Sequence, residues 1–352
     1  MSDTVKAGPS QRLMSLDVFR GMTIAGMMLV NNAGDWRYIY TPLEHAEWHG
    51  WTYTDTVFPF FLWIVGVAMT LSFAKRVERG DDKRRLALHV VKRFAIIFGI
   101  GLLLNGFPYY HLDRIRIPGV LQRIAVCYLI AGLIFLYTSV RGQIICLVAC
   151  LVSYWMLMTL APVPGVGPGH LDPENNFGAY VDRMLMTGHL WSASKTWDPE
   201  GAVSTLPAIG TALFGILAGH ILRLRREPAE RGVWLLISGN LLIFSALYLT
   251  TWMPINKKIW TPTFAMFMAG MASVTMPADV PRSELSRTTS PSMVVDGAVT
   301  GVGHPVFEND FAVSAASANA GRAATQDVGS FGSCARPRPF ARTFSASYGP
   351  RT

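Results

Sequence analysis

Charged residues are scarce in this chain of 352 residues. They make up 15% of the sequence and hydrophobic residues 51%, whereas about a quarter of an ordinary soluble domain is charged. This deficit excludes a typical soluble domain and predicts a protein embedded in a membrane. The four cysteines have neither metal-binding nor redox spacing, so the sequence predicts no metal site built on cysteine.

Several familiar motifs are also missing. The sequence contains no phosphate-binding glycine loop, no serine nucleophile elbow and no internal repeat. Its formal net charge of +8 comes largely from two basic loops, and its basic residues are not interleaved with aromatic ones. We therefore expect no nucleic-acid partner.

Long apolar runs are what the sequence does contain. A helix needs about 20 residues to cross a bilayer, and only helices and closed barrels satisfy every backbone group in lipid. The runs lack the alternation of barrel strands, so we predict an all-α polytopic membrane protein, a bundle of about 8 transmembrane helices. The predicted helices are 15–33, 55–74, 88–107, 119–140, 142–161, 204–222, 233–252 and 259–275.

Basic loops predict how this bundle is oriented. The segments KRVERGDDKRRLALHVVKR at 75–93 and RLRREPAER at 223–231 are rich in lysine and arginine, which favours the cytoplasmic side. The N terminus is then cytoplasmic, and the loops at 34–54, 108–118, 162–203 and 253–258 face outward. We expect a multi-pass protein of the plasma (inner) membrane with the lipid bilayer as a partner.

The last quarter of the chain has a different composition. Ala, Ser, Gly, Pro and Arg dominate it, and it holds no apolar run of spanning length, too little apolar surface to offset the entropy of ordering. We expect a low-complexity tail that is disordered or, by a second hypothesis, read out of frame. The predicted division is 1–14 as a cytoplasmic segment, 15–275 as the transmembrane domain and 276–352 as the tail.

Titratable groups crowd into one outer segment, LEHAEWHGWTYTDTVFPF at 43–60. His45 and His49 have an i, i+4 spacing that can hold zinc on a helix, but the hydrolase motif needs glutamate directly after the first histidine, and no third ligand is evident. Three interpretations stay open: a metal site, a surface loop, and an acid–base or acyl-transfer role for His45. Histidine suits the third because its unperturbed pKa of about 6.5 lets it exchange a proton near neutrality.

Other polar side chains fall near the outer ends of the predicted helices. Asn31 either packs against a neighbouring helix or joins a site with the histidine. Arg116 and Arg123, in LDRIRIPGVLQRIAVCY, either extend to the outer headgroups or bind an anion such as phosphate. Asp198 and Glu200, just before the sixth predicted helix, are solvated, orient a histidine or bind a cationic amino sugar.

Four segments resemble one known family. SLDVFRGMTIAGMMLVNNAG, HAEWHGWTYTDTVFPFFLWIVGVAM, RIPGVLQRIAVCY and DPEGAVSTLPAIGTALFGILAG are similar to the heparan-α-glucosaminide N-acetyltransferase family and its bacterial relatives, over residues 11–273. The resemblance implies that acetyl-CoA in the cytoplasm donates its acetyl group to the amine of a glucosamine on the far side. It also implies a homodimer as a candidate assembly. From the residues themselves, we predict no metal.

The resemblance also implies roles for individual residues. His45 and Asn31 match the catalytic histidine and asparagine of the family, and Arg116 and Arg123 are candidate contacts to coenzyme A or structural supports. His45 would act as a general base or as a transient acetyl carrier. Beside these, we expect the two carboxylates at 198 and 200 to bind the amino-sugar acceptor.

Two alternatives to the enzyme remain. Family members continue past the WTPTFAMFMAGMA helix with further spans where this sequence has its tail, so an inactive truncated member is one. An amino-sugar transporter or permease component is the other, although neither inverted repeats nor interrupted midplane helices are evident.

Overall fold

The chain folds into a helical bundle. The computed structural model describes residues 13–276 except 33, 36 and 37, and within those residues every regular element is helical. The prediction of an all-α polytopic protein is therefore confirmed, whereas the predicted tail lies outside the described residues. The helices are α1 (Met14–Asn31), α2 (Tyr53–Glu78), α3 (Lys83–Gly106), α4 (Val120–Tyr137), α5 (Val140–Leu160), α6 (Phe177–Met186), α7 (Thr205–Leu222), α8 (Pro228–Leu249) and α9 (Pro262–Thr275).

Each of the eight predicted helices is present, and α6 was not predicted. This helix has ten residues, too few to produce an apolar run of spanning length. It begins where the Asn176 side-chain oxygen accepts a hydrogen bond from Ala179 N at 2.8 Å, a capping contact that satisfies one of the free amides of the first turn. The predicted outer loop 162–203 thus contains a short helix.

Six helices of the described region are long and apolar enough to cross a membrane: α2, α3, α4, α5, α7 and α8. The chain is therefore a multi-pass membrane protein. Helices α1 and α9 are not among the six. Helix α9 has only 14 residues, and the polar side chains of Asp17, Arg20 and Asn31 lower the mean hydropathy of α1.

Helices α2, α4 and α7 form the centre of the bundle. Between 61% and 72% of the most apolar window in each is buried, against 17% to 22% in α3, α5 and α8. Helices α2 and α7 approach each other closely because glycine stands at their contact: a Cβ on Gly66 would lie 2.1 Å from the carbonyl oxygen of Ala212. Small residues permit this backbone approach in membrane bundles.

Helices α2, α4, α7 and α9 begin at the same end of the bundle, which we call the upper end. Side chains join the helices there: Arg123 of α4 contacts Ser204, directly before α7, and Trp260, two residues before α9, donates to Thr211 of α7. At the lower end, Glu78 at the end of α2 pairs with Arg223 after α7. The upper end carries the long loops and most of the buried polar side chains.

Candidate functional site

A histidine and an aspartate meet at the upper end of α2. His45 Nδ1 lies 2.7 Å from Asp55 Oδ1, and the Asp55 side chain is fully buried while that of His45 is 33% exposed. A carboxylate can only accept, so the Nδ1 proton donates to Asp55. The contact fixes the orientation of the ring, as the aspartate does in serine protease triads.

The local sequence explains why Asp55 is fixed. Thr52 and Asp55 form a capping box at the start of α2, and Asp55 Oδ2 accepts from Ala46 N at 3.0 Å, Thr52 N at 3.0 Å and Thr52 Oγ1 at 3.1 Å. The positive end of the helix dipole favours a carboxylate at this position. Thr54 Oγ1 donates to Leu43 O at 2.7 Å. This bond joins α2 to the loop that carries His45, which we call the histidine loop.

A lysine that lies far from His45 in the sequence completes this group. Lys257, in the loop between α8 and α9, places Nζ 3.2 Å from Asp55 Oδ1. The same Nζ lies 2.9 Å from His45 Nδ1 and 3.4 Å from Nε2. We call His45, Asp55 and Lys257 the histidine group.

Contacts between two loops hold Lys257 in place. Gly50 N donates to Ile255 O at 2.7 Å, and Asn256 Nδ2 lies 3.4 Å from His49 Nδ1. Lys258 Nζ donates to Glu47 O and lies 6.0 Å from the ring centre of Trp48. His45 and His49 therefore contact different partners, an aspartate and an asparagine.

A second charged group surrounds Arg116. Its Nε lies 2.9 Å from Asp198 Oδ2 and its Nη2 2.6 Å from Asp198 Oδ1, a bidentate pair, and Nη2 also contacts Glu200. Burial lowers the pKa of Arg116, but the carboxylates of Glu200 and Asp198 outweigh burial and hold it above its usual range. We call Arg116, Asp198 and Glu200 the arginine group.

Arg123 lies beside this group but is bonded differently. It is 2% exposed, its Nη2 donates to Ser204 and to Gly201 O at 3.3 Å, and its guanidinium lies 5.2 Å from the Trp260 ring centre. Within the described part of the chain its Nε and Nη1 have no hydrogen-bond partner. A buried donor without a partner is costly, so these two N–H groups are available for an oxygen acceptor.

Glu200 connects the two groups electrostatically. Burial raises the pKa of Glu200, but the positive charges of Arg116, Arg123 and Lys257 outweigh burial and hold that pKa below its usual range. Behind this carboxylate, Asp182 of α6 accepts from Asp198 N at 3.3 Å and Ala202 N at 3.0 Å. Burial raises the pKa of Asp182 to about 6, and its role here is to hold the loop before α7.

Asn31 ends α1 near the histidine loop. The residue before it, Val30, packs with Val57 and Phe61 of α2 in a cluster that Leu43 joins. This packing brings the end of α1 beside the segment that carries His45. The roles predicted for Asn31 remain a hypothesis.

The structure brings the predicted residues together in part and adds two. Arg116, predicted to contact coenzyme A, lies directly against Asp198 and Glu200, which were both predicted to bind the acceptor. Asp55 and Lys257 were missed. The Thr-x-x-Asp capping box signals the position of Asp55 in the sequence, whereas no local pattern marks Lys257, which lies 212 residues from His45.

Comparison with known proteins identifies the family of this chain. The family model described as heparan-alpha-glucosaminide N-acetyltransferase, catalytic, matches residues 12–243. The chain belongs to this family. Its relatives include the heparan-alpha-glucosaminide N-acetyltransferase of Homo sapiens, 30% identical over 362 residues that cover 85% of this chain and 54% of the human protein. That of Mus musculus is 27% identical over 86% of this chain and 54% of the mouse protein.

The N-acetyltransferase family match includes His45, Asn31 and both groups of charged residues except Lys257, which follows the matched segment. The chain spans about half the length of the two curated relatives.

Proposed function

We propose that this protein is a membrane-embedded acetyltransferase that moves an acetyl group from cytoplasmic acetyl-CoA to the amine of a glucosamine-type sugar on the outer side. The observation that carries the proposal is the contact of 2.7 Å between His45 and the buried Asp55, in a member of an N-acetyltransferase family. An amine acceptor must lose a proton during acyl transfer, and a neutral imidazole can take it.

His45 is the proposed catalytic residue. As a general base, Nε2 takes the proton from the acceptor amine while the amine attacks the thioester carbon; the C–S bond then breaks, and the proton passes from Nε2 to coenzyme A, which leaves as the thiol. As an acetyl carrier, Nε2 attacks that carbon, the C–S bond breaks and coenzyme A leaves as the thiolate; the amine then takes the acetyl group from the ring and gives up the proton that converts the thiolate to the thiol. Both routes use the same nitrogen, and Asp55 orients the ring for either. Asn31 is proposed to donate a hydrogen bond to the acetyl carbonyl oxygen.

The two arginines receive different proposed roles. Arg116 has its Nε and Nη2 bound to carboxylates, which supports a role in holding the upper loops together. Arg123 keeps two unpaired donors, which supports a contact with an oxygen of the acetyl donor. Of the two carboxylates proposed to bind the acceptor, Glu200 is the better candidate because its side chain is 11% exposed and that of Asp198 is fully buried.

The orientation in the membrane follows from the two ends of the bundle. Helix α2 has 26 residues and is therefore about 39 Å long, so its lysine and arginine at the lower end lie a membrane thickness from His45. We propose that the lower end, with the basic loops, is cytoplasmic and that the upper end faces outward across the plasma membrane. The N terminus is then cytoplasmic and the apolar outer faces of α3, α5 and α8 contact lipid.

An assay of acetyl transfer tests the proposed function. Purified protein in detergent is incubated with labelled acetyl-CoA and glucosamine, with His45→Ala beside wild type. His170→Ala is the matched control, since the His170 side chain is 44% exposed and lies 3.8 Å from the exposed Asp172. We expect transfer by wild type and the control, and loss of at least about 100-fold in His45→Ala. Equal transfer by His45→Ala would refute the role of the histidine, and sugar uptake by vesicles without acetylation would favour a transporter.

The sidedness of the reaction is tested in vesicles, and the assembly of the chain is tested in detergent. Proteoliposomes with acetyl-CoA supplied outside and glucosamine trapped inside should acetylate the trapped sugar only for protein inserted with its lower end outward. Light scattering of the detergent complex measures whether the proposed homodimer exists.

A further inference from the structure

One carboxylate oxygen serves two partners in the histidine group. Asp55 Oδ1 lies 2.7 Å from His45 Nδ1 and 3.2 Å from Lys257 Nζ. The ammonium group is also close to both nitrogens of the imidazole, at 2.9 and 3.4 Å. Any account of His45 must therefore include the charge on Lys257.

The charges in this group determine which form of the imidazole is favoured. A buried carboxylate alone would favour the protonated imidazolium, because an opposite charge within a few ångströms stabilises the charged form. The ammonium of Lys257 already balances that carboxylate, and a second cation at about 3 Å would be repelled strongly where water is partly excluded. For these three side chains we therefore expect one anion, one cation and one neutral ring.

We propose that Lys257 is a positioning residue that keeps His45 neutral, with its proton on Nδ1 and its lone pair on Nε2. The inference rests on the proposed function, because only a neutral imidazole can accept a proton or an acetyl group. Without the lysine, Asp55 would both orient the ring and favour its protonation, and a larger fraction of His45 would be inactive at neutral pH.

The placement of Lys257 supports this role over a solvated charge. Its side chain is 19% exposed, and the loop that carries it is bonded to the histidine loop through Gly50 and Ile255 at 2.7 Å. In the described part of the chain, the charged and titratable groups near the histidine group include Glu44, Glu47 and His49 on the same loop, Asp55 on α2, Lys257 and Lys258 before α9, and Glu200 before α7. Lys257 places its cation within hydrogen-bonding distance of the ring.

Chemical modification of His45 tests the inference without requiring transfer activity. Purified full-length protein in detergent is treated with diethylpyrocarbonate, which reacts with neutral imidazole, and modification of His45 is followed by peptide mass spectrometry from pH 5 to 9. We expect the pH of half-maximal modification to rise by about 1–2 units in Lys257→Met. Lys258→Met is the matched control from the neighbouring position, and we expect a much smaller shift because its Nζ bonds to a backbone oxygen.

Two further variants keep the result decisive. Lys257→Arg retains the positive charge and should keep the wild-type profile, whereas Lys257→Gln removes it with a side chain of similar length and should behave as the methionine variant does. The glutamine variant carries the test if the methionine variant does not fold. A wild-type profile in folded Lys257→Met or Lys257→Gln would overturn the inference.

The failure of the inference is distinguishable from the failure of the proposed function. Absence of acetyl transfer by wild type would count against the function and leave the modification profile readable. If wild type is active, the acid limb of the pH–rate profile should move upward in Lys257→Met with the same sign as the modification profile, a change that a merely structural lysine would not produce.

Discussion

Replacing Asp55 with asparagine removes the charge at the centre of the site and keeps the shape of the side chain. Oδ2 accepts hydrogen bonds from Ala46 N, Thr52 N and Thr52 Oγ1, so the amide oxygen of asparagine must take that position. The amide NH₂ group then faces His45 Nδ1. Because NH₂ only donates, Nδ1 becomes the acceptor and the ring proton moves to Nε2. The nitrogen proposed to act on the substrate would lose its lone pair.

The magnitude follows from this change of tautomer. In serine proteases the same exchange lowers kcat by about 10⁴-fold with the geometry intact. We expect Asp55→Asn to lower kcat for acetyl transfer by about 10³- to 10⁴-fold, which corresponds to roughly 4–5.5 kcal/mol of activation free energy. The KM for the acceptor should change little, because Asp55 is buried and does not reach the substrate.

The assay compares initial rates of acetyl transfer by wild type, Asp55→Asn and Asp172→Asn. Asp172 is an exposed loop carboxylate, with a side chain 66% exposed, and its variant should keep the wild-type rate. A thermal melt in detergent separates catalysis from folding, since the altered hydrogen bonds at Asp55 should cost only about 1–3 kcal/mol. A kcat within tenfold of wild type in folded Asp55→Asn would refute the reasoning.

Two further substitutions test the bundle and the buried arginine. Gly66→Ala should unfold or strongly destabilise the protein in a thermal melt, because its Cβ would lie 2.1 Å from Ala212 O. The control Gly99→Ala, whose Cβ would meet nothing within 4 Å, should be neutral or stabilising by up to about 1 kcal/mol. Equal melting temperatures of the two variants would contradict the close packing of α2 and α7. Arg123→Met should raise the KM for acetyl-CoA about tenfold or more in steady-state assays, because its two unpaired donors are proposed to bind the donor; an unchanged KM in folded protein would assign Arg123 to structure alone.

Much of the bundle could be predicted from the sequence. Each of the eight apolar runs corresponds to a helix, because backbone groups in lipid must bond within their own segment. The ends were less predictable. Helix α3 begins at Lys83 rather than near 88, since Asp82 caps it by accepting from Arg84 N at 3.0 Å, a polar signal outside the apolar run. Helix α6 is likewise defined by a cap and not by hydropathy.

The candidate site was predicted as a set of residue types and not as an arrangement. His45, Arg116, Asp198 and Glu200 were identified because charged or titratable groups near membrane helices are rare and costly. Their partners could not be read from spacing. Arg116 lies 82 residues from Asp198, and only the packing of the helices brings the two side chains together.

The sequence by itself determined the class of the protein, eight of the helices that the structure describes and the segments between helices that hold its polar residues, because the length and polarity of a membrane helix are local properties of the chain. The tertiary structure decided which charges pair: Asp55 with His45 and Lys257, and Arg116 with Asp198 and Glu200, while Arg123 keeps two donors. The physical reason is that an ion pair depends on distances of a few ångströms between residues far apart in the chain. Those distances arise only when α2, α4, α7 and α9 begin at one end of the bundle.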